Sequence, residues 1–357
     1  MKQRVMGFDV ARALAIFGMV IVNFKIALNA NTGSAFLQYF AGLFEGRASA
    51  LFVILAGIGI NFLTQKAIQS QASEQIAQAR WHLIKRGLLL VILGLAFTPI
   101  WEADILHFYG FYFLVAALLI TLKDKALINS AVVAVFTFPL LMMFFDYNTG
   151  WHWETLHYTD FWTPAGMIRH IFFNGFHPVF PWCGYLLFGL WLGRQNLSNE
   201  RTRWRFFWIA VAIGSVIELS LFGLRAALSP VTLGLTQEDT SLLLSTSAIP
   251  PLPHYLFSAT SSATAVLMLC LHVADHFSKS ALVQVLYQTG QLSLTLYVFH
   301  VVLGMGAIEV LGYLHKQSID FAMFCALLFC LFSIAFSLVW KTYFSAGPLE
   351  WLFRKLT

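Results

Sequence analysis

Asp104 and His107 stand three residues apart in the stretch WEADILHFYG, 101–110. On a helix that spacing puts both side chains on one face. A carboxylate beside an imidazole fixes its orientation and raises its basicity, as a general base requires. The same residues could also serve as a helix cap and an interfacial histidine. His177 opens FHPVFPWCGYLLFGLWLGR, 176–194, and His254 lies in PLPHYLF, 251–257. Asn23 can aim an amide at a reacting carbonyl or bridge two helices. His300, in LTLYVFH, reads as a helix-bridging group. Glu218 has no sequence partner. Asp9 and Arg12, again three apart, form an ion pair, and Lys25 snorkels outward.

A second cluster differs in kind. ARWHLIKRG, 79–87, gathers Arg80, Lys85 and Arg86. Guanidinium forks suit phosphate, and the same charges serve as a positive-inside anchor. No P-loop, GxSxG, HExxH or CxxC pattern occurs. The four cysteines lie in apolar stretches without metal-ligand spacing. His272 and His276 are four apart with no third ligand in sequence, so no metal is expected.

These residues must be positioned by membrane helices. The chain of 357 residues is 59% hydrophobic and 11% charged, with a mean hydropathy of +0.72. A soluble domain carries about 25% charged residues, so most of this surface faces lipid. An all-α polytopic membrane protein is predicted, with ten spans near 5–28, 46–65, 82–101, 104–123, 126–145, 177–196, 204–225, 254–275, 290–313 and 321–343. They form one transmembrane domain over 1–357, with long outer loops at 146–176 and 226–253. Sixteen of the 22 Lys and Arg residues, from Lys2 and Arg4 to Arg354 and Lys355, fall inside if the N-terminus is cytoplasmic. Only Arg47, Arg169, Arg225 and Lys316 fall outside, so both termini are cytoplasmic. Asn23, Asp104, His107, His177 and His254 then share outer depth on four helices. Pro178 and Pro181 are expected in a first helical turn, where missing amide hydrogens cost little, and Trp182 in the interfacial belt.

Several stretches resemble one family. RVMGFDVARALAIFGMVIVNF (4–24), DILHFYG (104–110), FHPVFPWCGYLLFGLWLGR (176–194), GQLSLTLYVFH (290–300) and GPLEWLFRKLT (347–357) are similar to the YeiB-like bacterial proteins of domain of unknown function 418. That family is grouped with transmembrane acyltransferases, including heparan-α-glucosaminide N-acetyltransferase and the type 3 acyltransferases of bacterial envelopes. The resemblance implies transfer of an acyl group from cytoplasmic acyl-CoA or acetyl-CoA to a glycan, lipid or small acceptor across a bacterial inner membrane. Asn23 falls at the asparagine of the acetyltransferase's VN motif, where type 3 enzymes carry histidine. Arg80 and Arg86 fall near the basic motif that type 3 enzymes use for the CoA phosphates. One departure matters: the acetyltransferase has its active-site histidine in the loop after the first span, and 29–47 here contains none. The first histidine of this chain is His82.

The expected scheme docks CoA phosphates at Arg80, Lys85 and Arg86, with His107 oriented by Asp104 as base. Asn23 holds the carbonyl oxygen and His177 assists. Membrane lipids, acyl-CoA and the acceptor are the expected partners, a homodimer is the assembly considered, and no nucleic acid is expected. A transporter or flippase of an amphipathic substrate is the alternative, since intramembrane ionisable groups and prolines suit that too. A non-catalytic envelope protein is the third reading.

Overall fold

The computed structural model describes residues 5–228, 234, 236–314 and 316–357; Lys2, Arg4 and part of the 226–253 connection lie outside them. The helices are α1 (Met6–Ala27), α2 (Ala35–Gly42), α3 (Arg47–Ser70), α4 (Ser73–Phe97), α5 (Leu106–Leu119), α6 (Asp124–Met142), α7 (Pro164–Arg169), α8 (Val179–Leu192) and α9 (Glu200–Ala227). They continue as α10 (Gln237–Leu243), α11 (Pro253–His276), α12 (Ala281–Gly290), α13 (Ser293–Phe299), α14 (Gly306–Val310), α15 (Ile319–Tyr343) and α16 (Pro348–Leu356). Two π-helical turns, His170–Asn174 and His300–Met305, follow α7 and α13.

The protein is an all-α membrane protein. Seven helical stretches among the described residues are long and apolar enough to cross a bilayer: Met6–Ala27, Ala35–Ser70, Asp124–Met142, Glu200–Ala227, Pro253–His276, Ser293–Val310 and Ile319–Tyr343. The count of ten is not reached on those criteria. The other three expected spans are helical, but α5 and α8 have 14 residues each, short of the roughly 20 that cross a bilayer. Helix α4 spends its first half on polar and charged residues. On α9, Trp208, Val216 and Phe222 are 62%, 64% and 69% exposed, which a lipid solvent satisfies and water does not.

The chain divides into two compact units. The first comprises Met1–Phe52, Arg203–Phe207 and Ala263–Leu356. Here α1 packs on α12 and α15. A Cβ on Gly290 would lie 2.6 Å from the Asp9 carbonyl carbon and 3.1 Å from the Ala13 nitrogen, so only glycine allows this approach. Asp9 is fully buried and pairs with Arg12 at 2.5 Å, as the spacing predicted. Lys25, in the last turn of α1, pairs with Glu45 at 2.7 Å. The C-terminal GPLEW stretch caps α13. Glu350 accepts the backbone N–H groups of Leu294 (2.7 Å) and Thr295 (3.1 Å) and the Thr295 hydroxyl (2.6 Å). Those amides lack intrahelical partners, and the carboxylate meets the positive end of the helix. Glu350→Ala should therefore cost roughly 2–3 kcal/mol, read as a lower thermal midpoint in detergent, with Glu350→Gln between the two.

The second unit comprises Val53–Thr202, Trp208–Ser262 and Thr357. Helix α4 packs on α5, and α8 packs on both α5 and α6. Gly94 makes the first contact possible, since a Cβ there would meet His107 Cα at 2.7 Å and Cβ at 2.8 Å. Arg194 closes the far end of α5, donating to the carbonyls of Ile120 (2.9 Å) and Leu122 (2.7 Å) and to Asp124 (2.9 Å). Glu218 gains partners invisible in sequence: the hydroxyls of Ser258 (2.6 Å) and Thr246 (3.2 Å).

Two expectations for α8 fail. Phe180 leaves helical geometry (φ −96°, ψ 116°), because the residue before a proline is driven extended, so Pro181 does not sit in a regular first turn. Trp182 is fully buried against His177 and Tyr185, not in an interfacial belt.

Candidate functional site

The second unit places Asp104 and His107 at the start of α5. One carboxylate oxygen of Asp104 accepts three donors: the backbone N–H of Leu106 (2.9 Å), that of His107 (3.3 Å), and the His107 ring Nδ1–H (3.2 Å). The capping and orienting roles read from the sequence thus coexist in one side chain. Both residues are fully buried. A carboxylate only accepts, so the network assigns the proton to Nδ1 and leaves Nε2 with its lone pair. That Nε2 is buried and has no hydrogen-bond partner.

The connection 146–176, expected only as a loop, builds a second imidazole beside it. Strand β1 (Trp151–His152) pairs antiparallel with β2 (His157–Tyr158). Thr163 caps α7 by accepting the Gly166 N–H at 3.1 Å, with Pro164 at the first helical position. The π-helical turn follows, opening on His170. Asn174, fully buried, fastens this segment: it donates to the carbonyls of Tyr147 (2.9 Å) and Thr149 (2.8 Å), and accepts from the Tyr158 hydroxyl (2.8 Å). Its own carbonyl accepts from the Trp151 indole at 2.6 Å. Arg169 donates to the Tyr158 hydroxyl (2.7 Å) and to both Asp160 oxygens (2.7 Å each).

The result is an aromatic cage around His170, with ring centroids of Tyr158, Phe161, Phe108 and Trp151 at 4.6, 4.9, 5.2 and 5.7 Å. His107 lies 5.8 Å away, its ring tilted by 24°. Burial, then the neighbouring His107, His177 and Arg169, hold His170 well below the usual histidine range, so this imidazole is neutral. Sequence reading passed over His170; the signal was RHIFFNGFH, two histidines bracketing an Asn-Gly pair.

His177 joins the same neighbourhood. Its backbone carbonyl accepts the Tyr112 hydroxyl at 2.5 Å, and its ring lies 6.1 Å from Phe108 and 4.5 Å from Trp182. His177 Nδ1 is another buried nitrogen without a partner. His254 bonds the Ser245 carbonyl at 2.6 Å.

Asn23 belongs to the first unit. Its amide donates to His300 Nε2 at 2.8 Å, while His300 Nδ1–H is held by the Tyr297 carbonyl. The helix-bridging roles read for both residues are therefore realised in one pair.

The basic cluster of the second unit is spread over three partners. Arg80 donates to the Thr121 hydroxyl at 3.0 Å, and its buried Nε has no partner. Lys85 stands 5.9 Å over the Trp81 ring. Arg86 donates to the Thr357 hydroxyl at 3.3 Å, and His82 Nδ1 to the Thr357 carbonyl at 2.7 Å. Beside His82, a cleft of about 530 Å³ is lined by Lys66, Gln75 and Gln78 together with apolar Leu63 and Leu83.

Comparison with known proteins assigns the family. A family model described as heparan-alpha-glucosaminide N-acetyltransferase, catalytic, matches residues 4–223. A second, a protein of unknown function (DUF418), matches residues 192–357. The uncharacterized protein YeiB of Escherichia coli (strain K12) is 25% identical over 387 aligned residues, covering 99% of this chain and 96% of that protein. The chain therefore belongs to the heparan-alpha-glucosaminide N-acetyltransferase catalytic family, as a YeiB-like DUF418 member.

Proposed function

We propose that the protein is a membrane acyltransferase, taking an acyl group from cytoplasmic acyl-CoA and placing it on a hydroxyl or amine acceptor at the outer face of a bacterial inner membrane. The observation that carries this reading is the buried Asp104–His107 pair, whose Nε2 is directed away from the carboxylate and lacks any partner. An imidazole so held is a base with its lone pair free. His107 Nε2 takes the acceptor proton; Asp104 stabilises the imidazolium that forms. The family matched over 4–223 is named for an N-acetyltransferase, which supports acetyl-CoA as donor. The cationic side chains of Arg80, Lys85 and Arg86 take the CoA phosphates, with Thr357 displaced from Arg86. Acceptors in the glycan, lipid and small-molecule classes all offer the required group.

The test uses the full chain in lipid nanodiscs. Acetyl-CoA binding by calorimetry should weaken about 10- to 100-fold in Arg86→Ala, the size of one charge-assisted phosphate contact. Unchanged affinity after replacing Arg80, Lys85 and Arg86 together would remove the docking site. Absence of thiol release from acetyl-CoA with every acceptor class would remove the acyltransferase reading.

A further inference from the structure

His107 alone does not account for this site. Three buried ring nitrogens stand without partners around one phenyl ring, that of Phe108: His107 Nε2, His170 Nδ1 and His177 Nδ1. Buried polar groups are normally hydrogen-bonded, so a cluster of orphans marks a place where a polar occupant belongs. The His107 and His170 rings are nearly parallel with centroids 5.8 Å apart, and no direct bond joins them. The Asn174 and Arg169 network holds His170 there with its ring nitrogen uncommitted.

We infer that His170 is a second catalytic imidazole: with His107 it holds the reacting hydroxyl, amine or water, His107 taking its proton while His170 orients it by a hydrogen bond. This rests on the acyltransferase reading above. In the step, the nucleophile's oxygen or nitrogen bonds the acyl carbon and the carbon–sulfur bond breaks. The nucleophile's proton passes to His107 Nε2 and then to the departing thiolate, giving the free thiol. No oxidant or reductant enters. The division of labour follows from the groups facing each ring. Asp104 faces His107 and holds its Nδ1–H, leaving Nε2 to take a proton. Arg169 on its own segment, His107 from α5 and His177 ahead of α8 all oppose a cation on His170, and the Tyr158 hydroxyl is occupied by Arg169 and Asn174. His170 therefore stays neutral while the proton moves.

Water is the acceptor in the test, with thiol release from acetyl-CoA measured in nanodiscs. His170→Gln and His170→Phe should each lower kcat by about 10- to 100-fold, with KM for acetyl-CoA within twofold of wild type. His170→Phe fills the aromatic cage, so a thermal midpoint near wild type separates chemistry from packing. Wild-type kcat in both variants would overturn the inference and leave the acyltransferase reading standing. Where water gives no release, an acceptor that does replaces it; if wild type releases no thiol with any acceptor class, that reading falls, and solid-state 15N spectra of the histidines decide the pair on its own. A hydrogen-bonded occupant shifting both His107 Nε2 and His170 Nδ1 supports it, and two bare nitrogens overturn it.

Discussion

Replacing His107 by Gln should lower acyl transfer by about 10²- to 10⁴-fold, the span a positioned general base contributes. Acetyl-CoA affinity should be unchanged. Glutamine keeps the polar volume and can donate from its amide towards Asp104, so α5 retains its start. It has no titratable nitrogen where Nε2 stands, and the acceptor proton loses its destination. Single-turnover measurement of acyl transfer separates this from binding: a normal chemical step in His107→Gln would move the base elsewhere, with the Asn23-linked His300 the next imidazole to substitute. The loss should be of similar size for hydroxyl and amine acceptors, since both must surrender a proton.

Asp104→Asn should lower kcat by about 10²-fold, through lost charge and not through a tautomer change. The oxygen that accepts the Leu106 and His107 N–H groups also accepts the His107 Nδ1–H, so an asparagine oxygen in its place keeps both the helix start and the tautomer. What it removes is the negative charge that meets the imidazolium as the proton arrives. Solid-state 15N shifts should show Nδ1 protonated in Asp104→Asn as in wild type. Thermal stability should fall by less than in Asp104→Ala, which leaves the buried Leu106 and His107 donors unsatisfied at about 1–3 kcal/mol each. Wild-type kcat in Asp104→Asn would show that His107 needs no charged partner.

Much of this was legible in short-range pattern. Asp9 with Arg12 and Asp104 with His107 could be read because helical periodicity links residues three apart. The all-α membrane class followed from composition, because no water-facing surface can be built from so few charges. Partners distant in sequence could not be read. Asn23 finds His300 277 positions away, Glu218 finds Ser258 40 positions on, and Lys25 finds Glu45 20 positions on, past α2. Hydropathy also misjudged α5 and α8: it reports apolar length, whereas Asp104 and Pro178 set where those helices begin.

The sequence by itself determined the membrane class, the helix periodicity and the acid–base pair at the head of α5, because these depend on local spacing and the cost of burying charge. Only the tertiary structure decided what surrounds that pair. His170 is an undistinguished loop histidine until Asn174 and Arg169 tie the 146–176 segment down and press the ring into an aromatic cage beside His107. His177, equally plain in sequence, becomes the third imidazole around Phe108. The physical reason is that a histidine's chemistry depends on burial and on which of its nitrogens has a partner, and both are properties of packing.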